Sequence, residues 1–321
     1  MADTPSINSY DVIIPVYRPG ERFLRLFAAL KEQSLPFGKL IIINTEASLM
    51  SPEIRKELEK DGRVILRDIG ASDFDHAATR DMGVRLSKAD AFICMTDDAV
   101  PADCMLTRRL IEALEQDDSR AAAYARQLPA EDAEPAERIV RSFNYPDRDE
   151  VKRIEDTERL GIKTFFASNV CCAYRRDIYD SLGGFEAPAV FNEDMVYACR
   201  ALKAGRSTVY CAAACVLHSH NYTALQQFHR NFDLGVSQRL HPEVFAGLSS
   251  EGEGMKLVRT VIGGLAAEGH FVQIAVFAFR TAFRYAGFRL GKCFDRLPDR
   301  LVMSFAMNKN TMSRMIERRK K

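Results

Sequence analysis

Between Asp11 and Gln116 short apolar runs alternate with stretches of helical spacing, and this alternation limits the fold more than any other feature of the chain. "DVIIPV" (11–16) reads as a strand, and after Pro19-Gly20 the residues Phe23, Leu24, Leu26, Phe27 and Leu30 repeat at helical spacing. "KLIIINT" (39–45) is a second strand. "SPEIRKELEK" (51–60) is a helix with Ser51 as N-cap and Pro52 at its first position, followed by a third strand in "RVILRDI". "HAATRDMGVRLSK" predicts a helix, "DAFICM" the fourth strand and "CMLTRRLIEALEQ" the next helix. Such a repeat implies an α/β chain with a mostly parallel sheet and helices on both faces.

In an open parallel sheet the ligand lies beyond the carboxyl ends of the strands. The candidate site residues are therefore Pro15, Val16 and Tyr17, then Asn44, Thr45 and Glu46, then Arg67 and Asp68, then Thr96, Asp97 and Asp98. Two adjacent carboxylates after an apolar strand repel each other and call for a cation or water. The bland reading of Asp97 and Asp98 is a cap before the following helix. No G-x-G-x-x-G follows the first strand and no G-x-x-x-x-G-K-[ST] occurs, so dinucleotide enzymes and P-loop ATPases lose their main signature.

At 321 residues with 47% hydrophobic content, the chain exceeds one typical domain of about 150 residues. The formal net charge of +1 conceals an asymmetry. From Arg280 to Lys321 there are 12 Lys/Arg and 3 Asp/Glu, which leaves 33 of the 45 basic and 41 of the 44 acidic residues for the rest. A tail of about +9 on a body of about −8 points to an anionic surface, lipid or nucleic acid. The polar first ten residues carry no signal-peptide pattern, so a cytoplasmic chain is expected. Cys94, Cys171, Cys172, Cys199, Cys211 and Cys215 lack C-x-x-C spacing and read as reduced core residues.

The segment 128–163 is charged and proline-punctuated, which predicts a mobile insertion, either a solvated helix-loop or a lid. After it, "KTFFASNVCCAYRRDIYDSLGGF" predicts a strand, a helix and a Gly-Gly turn. "NEDMVYACRALKAG" predicts a short amphipathic helix and "STVYCAAACVLHSH" a buried strand ending in two histidines. His218 and His220, two apart on an extended segment, share a face, a spacing that can place an imidazole on a cation; the alternative is a merely hydrogen-bonded histidine.

Taken together, "DVIIPVYRPG", "MTDDAVP", "GGF" with "NEDMVYACRALKAG", and "VLHSHNYT" resemble the inverting family 2 glycosyltransferases with the GT-A fold. "FDHAATRDMG" and "HSHNYTALQQFHRNFDLGVSQR" look most like bacterial rhamnosyltransferases of cell-surface polysaccharide assembly, and the likeness spans about Tyr10 to Arg239. The resemblance implies a Rossmann-like GT-A catalytic domain over 1–245, with 246–321 as a helical basic extension. It implies an inverting transfer, L-rhamnose from dTDP-L-rhamnose being favoured over a UDP-hexose or UDP-N-acetylhexosamine, onto a polyprenyl-diphosphate-linked glycan. Mg²⁺ or Mn²⁺ would neutralise the leaving diphosphate, and hard oxygen ligands suit either ion.

By the same resemblance Asp98 would bind the metal with His218 or His220, His218 being preferred, and Asp97 would meet the donor ribose or, through water, the metal. Thr96 stands where the family motif has its first Asp. Asp194 would be the base that takes the acceptor hydroxyl proton, with Glu193 as the alternative; as an acidic pair the two would also suit a helix N-terminus. Pro15, Val16, Tyr17, Thr45, Glu46, Asp68 and Arg80 would hold the donor, although Arg80 reads almost as well as a surface helix salt bridge. Ser168 and Asn169 match a pair lining the acceptor side.

The stretch from Phe271, with Arg280, Arg284, Arg289 and Lys292 among large apolar residues, is too interrupted to span a bilayer, which needs about 20 apolar residues. It fits a helix lying in the membrane interface with its arginines at anionic headgroups, which would make the enzyme peripheral on the inner face of the cell membrane. The alternative is a helix packed on the catalytic domain. Nucleic-acid binding has only charge in its favour, and a homodimer is compatible with the sequence. A different class, a catalytically inert membrane-bound partner of an assembly complex, is disfavoured by the joint presence of Asp98, Asp194 and His218.

Overall fold

The computed structural model describes residues 7–248 and 250–320. In chain order the elements are β1 (Tyr10–Tyr17), α1 (Glu21–Lys31), β2 (Leu40–Thr45), α2 (Pro52–Glu59), β3 (Val64–Ile69), α3 (His76–Leu86), β4 (Ala91–Met95), β5 (Val100–Pro101), α4 (Leu106–Glu115) and β6 (Arg120–Leu128). There follow α5 (Pro135–Asn144), β7 (Glu150–Lys152), α6 (Thr157–Leu160), β8 (Cys171–Arg175), α7 (Arg176–Ser181), α8 (Glu193–Lys203) and β9 (Ser207–Leu217). The remainder is helical: α9 (Ala224–Leu240), α10 (Pro242–Phe245), α11 (Ser250–Ala267), α12 (Phe271–Gly291), α13 (Asp299–Phe305) and α14 (Lys309–Lys320). These residues divide into two compact units, one of 1–127, 147–187 and 194–218, the other of 128–146, 188–193 and 219–321.

The first unit carries the mixed sheet, in the order β3-β2-β1-β4-β8-β6-β9-β5 with β7 on β9. The alternating part is parallel, as expected: β1 pairs β2 and β4, and β2 pairs β3. Its register sets Val16 beside Asn44 and Asn44 beside Asp68, so the carboxyl ends of these strands finish together. β4 meets β8, β8 meets β6, and β9 meets β5 and β7, all antiparallel. Ile14, Ile42, Ile93, Leu26, Leu30 and Leu110 are fully buried in the main core.

Local signals set the helix starts. Ser51 accepts the Ile54 N–H at 3.3 Å, and the buried Asp75 accepts Ala77 and Ala78 N–H at 3.0 and 2.9 Å, satisfying donors that a helix leaves open. Gly83 lets α3 press on β1, since a Cβ there would overlap Ile13. The cysteines are thiols, with Cys94, Cys171, Cys172, Cys199 and Cys211 buried.

The charged segment 128–163 is not the loose insertion that its composition suggests. α5 turns Ile139, Val140 and Phe143 onto Leu257, Val261 and Leu265 of α11, while Glu137 and Arg141 pair on its polar side. β7 joins the sheet on β9 and buries Lys152, whose ammonium donates to Tyr124 Oη (2.6 Å), Lys163 O (2.9 Å) and Phe166 O (3.0 Å). Three acceptors make burial of that amine tolerable. After 163 a 3-10 turn comes first, and the strand begins only at Cys171.

In the second unit α12 lies along α9. A Cβ on Gly287 or Gly291 would overlap the carbonyl oxygens of Phe228 and Phe232, and one on Gly235 that of Phe288. Glycine is what allows the two helix backbones to touch. Among the described residues no helix is long and apolar enough to cross a membrane. The basic residues of α12 and its C-cap do not share one face: Arg289 and Lys292 are exposed, but Arg280 pairs with Glu134 and Arg284 lines a pocket. The exposed face carries Phe271, Val272, Phe279 and Tyr285 instead.

Candidate active site

The aligned strand ends of the first unit assemble the acidic pair. Asp97 follows β4 and accepts the Tyr17 N–H from the end of β1 at 3.3 Å. Burial, reinforced by the Asp98 charge, pushes the Asp97 carboxyl up to about 6, while the Arg80 guanidinium opposes the rise. Arg80 is therefore within electrostatic reach of the pair. It is buried on α3, with Nη1 donating to His76 O at 3.0 Å, so it is not the surface residue that the alternative reading assumed. Asp97 and Asp98 cap no helix, because β5 follows them.

At the end of β9, His218 is buried with Nε2 3.4 Å from Asp98 Oδ1. Its Nδ1 is 3.0 Å from Gln127 Oε1, and Gln127 Nε2 donates to Ser168 Oγ at 2.9 Å. In the tautomer with the proton on Nδ1, the Gln127 oxygen accepts from it. The lone pair of Nε2 is then directed at a carboxylate, an arrangement that asks for a cation.

Asn169, beside Ser168, donates its backbone N–H to Asp194 Oδ2 at 2.9 Å, and its side chain accepts from Tyr174 Oη at 2.8 Å. Asp194 Oδ1 accepts the Met195 N–H at 2.8 Å in the first turn of α8. One route of polar contacts thus runs from Asp98 through His218, Gln127 and Ser168-Asn169 to Asp194. Gln127 escapes a reading of the sequence; its only signal is a polar side chain at the end of the alanine-rich strand β6.

Other predicted residues are not links of this route. Asp68 is held below the usual carboxylate range, against the pull of burial, by Arg55 (2.9 Å) and by Asn44, whose Nδ2 donates at 2.6 Å. Glu46 binds the Ala71 N–H. Val16 and Thr45 are buried and Pro15 partly so. Val16 belongs to the core, so only its backbone can serve a ligand. Glu193 is buried in the second unit. The His220 ring is stacked on that of Tyr222 at 4.7 Å.

Among the described residues, three that are not glycine have left-handed backbone: Arg18 (φ 53°), Glu46 (φ 67°) and Asn192 (φ 64°). Each directly follows or precedes a predicted site residue or is one itself. Strain of this kind costs about 1–3 kcal/mol and gathers where function requires it.

Comparison with known proteins decides the family. The model of "Glycosyl transferase family 2" matches residues 11–183. The chain belongs to glycosyl transferase family 2. This family 2 glycosyltransferase is 35% identical over 303 residues to the O-antigen chain rhamnosyltransferase RfbN of Salmonella typhimurium, covering 93% of this chain and 94% of that protein. It is 34% identical over 307 residues to the O-antigen chain rhamnosyltransferase WbaN of Salmonella anatum, covering 94% and 95%. Among solved structures, the mannosyltransferase PcManGT from Pyrobaculum calidifontis, determined in complex with GDP-Man and Mn²⁺, superposes with a TM-score of 0.58 at 14% identity, covering 92% of this chain and 90% of that one. That superposition supports the GT-A fold, and the family match makes the chain a glycosyltransferase.

Proposed function

We propose that this family 2 glycosyltransferase transfers L-rhamnose from dTDP-L-rhamnose, with inversion, onto a polyprenyl-diphosphate-linked glycan in the synthesis of a surface polysaccharide such as O-antigen. The observation that carries the donor and the pathway is the 35% identity, over nearly the whole of both chains, to an O-antigen chain rhamnosyltransferase.

The residues of the site fit the chemistry. Asp98 and His218, with His220 next along the extended segment, would hold Mg²⁺ or Mn²⁺. When bound, the ion would supply positive charge to the leaving diphosphate. Asp97 would receive the donor's ribose, and its buried carboxyl, the Tyr17 backbone and Arg80 would orient the nucleotide. Pro15, Val16, Thr45, Glu46 and Asp68 are proposed to complete the donor side, the strained Glu46 backbone aiming its carboxylate across the loop at Ala71. Asp194 would take the proton of the attacking acceptor hydroxyl, with Glu193 beside it. The Asn169 N–H keeps one carboxylate oxygen fixed, and Ser168 and Asn169 face the acceptor. An inverting transfer needs such a base on the side of the sugar opposite the leaving group.

The catalytic domain would span 1–245, with 246–321 as a basic extension resting on the cytoplasmic face of the membrane. Exposed Phe271, Val272, Phe279 and Tyr285 would enter the interface, with Arg289 and Lys292 near anionic headgroups. The test is nucleotide release from dTDP-, UDP- and GDP-sugars with Mg²⁺ or Mn²⁺ and a polyprenyl-linked acceptor extract. Acceptor-dependent release from dTDP-rhamnose, lost in Asp98→Ala, is the expected result. Release from a UDP-sugar alone would overturn the rhamnose assignment.

A further inference from the structure

The second unit holds a pocket with chemistry of its own. One face of α12 lines it with Phe277, Arg280, Thr281 and Arg284, at i, i+3, i+4 and i+7. Tyr222 and Gln227 form a facing wall. The His220-Tyr222 stack and the Asn221 side chain, which donates to Asp132 O at 2.9 Å and accepts the Glu134 N–H at 3.2 Å, give this wall a set shape.

The charges of the lining are unevenly used. Glu134 is taken by Arg280, whose Nη2 lies 3.2 Å from Oε1, and Glu137 by Arg141 at 2.7 Å. Among the described residues Arg284 has no hydrogen-bond or ion-pair partner within reach, although burial pulls its guanidinium below the ordinary value and only the charge of Glu137 offsets this. One turn earlier the Thr281 hydroxyl is buried, and no described group bonds to it. A half-buried guanidinium that lines a pocket without an acceptor, next to a buried unsatisfied hydroxyl, favours a ligand that supplies oxygens to both. Arginine forks and hydroxyls match phosphate oxygens in number and direction.

We infer that this pocket binds a phosphate-bearing anion, with Arg284 and Thr281 as donors and Phe277 beside the group that carries the phosphate. Its occupant is the diphosphate that joins the acceptor glycan to its lipid; this identification rests on the proposed function, whereas the anion site does not. Arg284 thereby acts in acceptor binding rather than at an anionic membrane surface.

The experiment uses the full chain in EDTA without donor, titrated calorimetrically with inorganic diphosphate and with farnesyl diphosphate. An Asp98→Ala background keeps the donor site out of the measurement. Binding is expected in both backgrounds, and Arg284→Met should weaken it at least tenfold. Thr281→Val, nearly the same shape, should weaken it a few-fold and decides the matter if Arg284→Met does not fold. Farnesyl diphosphate binding at least tenfold tighter than inorganic diphosphate would identify a lipid-linked head group. Equal affinities, or binding only to phosphatidylglycerol vesicles, would overturn that occupant. Undiminished diphosphate binding in both variants would overturn the site itself. Loss of transfer from dTDP-rhamnose with diphosphate binding intact would sink the rhamnose reading and leave this inference standing.

Discussion

The imidazole of His218 is held between two oxygens, Asp98 Oδ1 at 3.4 Å from Nε2 and Gln127 Oε1 at 3.0 Å from Nδ1. By accepting from Nδ1–H, Gln127 would select the tautomer that presents the Nε2 lone pair beside the carboxylate. A partner of this kind is worth about 10–100-fold in metal affinity where a histidine is a ligand. Gln127→Ala should therefore weaken Mn²⁺ binding, followed by calorimetry, by that factor while the fold is retained, and Asp98→Asn should weaken it more. Unchanged Mn²⁺ affinity in Gln127→Ala would reduce Gln127 to a packing role.

Asp194 serves two structural bonds as well as its proposed chemistry, accepting from Asn169 and Met195. An asparagine can keep one acceptor in place but cannot take a proton. Asp194→Asn should cut transfer by about 10²–10⁴-fold, the usual contribution of a general base, with donor affinity nearly unchanged. A parallel fall in donor affinity would show that the carboxylate holds the donor instead.

The α9–α12 contact is a second place where one atom decides. Gly287→Ala would drive its Cβ into the Phe228 carbonyl and should destabilise the protein by about 1–3 kcal/mol in chemical denaturation. Gly263, inside α11, has nothing within 4 Å of the place a Cβ would take. Gly263→Ala should stabilise by up to about 1 kcal/mol, because alanine loses less chain entropy in a helix. Equal effects at the two sites would mean that α9 and α12 do not meet at their backbones.

The parallel half of the sheet is legible in the sequence because each strand is a continuous apolar run and each helix an apolar stripe, both local patterns. The antiparallel half is harder, since pairing β8 with β4 and β6 joins segments more than forty residues apart along the chain. The burial of Lys152 depends on three acceptors that no local pattern advertises, and α5 reads as solvated unless α11 is known to cover Ile139 and Phe143. The acidic pair, Asp194 and His218 are readable through their motifs. Gln127 and the inward turn of Arg280 and Arg284 are not, because orientation on an element depends on what packs against it.

Asp233 offers a test of a buried charge. It lies on α9 with Oδ2 accepting N–H groups of Met307 (3.2 Å) and Asn308 (2.9 Å), and so anchors the start of α14. Burial pushes its carboxyl up to about 7, against the pull of these two bonds and of Arg230. The unfolded chain ionises this group near its ordinary value of 3.8, so between there and about 7 the folded state holds a proton that the unfolded state has released. Stability from Asp233 is thus complete below pH 3.8 and is lost as pH rises through about 7. At roughly 1.4 kcal/mol per unit, the interval from about pH 4.5 to 7.5 carries about 3 kcal/mol. Asp233→Asn keeps the acceptor and removes the titration. Its denaturation free energy should fall less than that of the wild type over this interval, by about that amount. Identical pH profiles would show that Asp233 ionises in the folded chain as it does in the unfolded one.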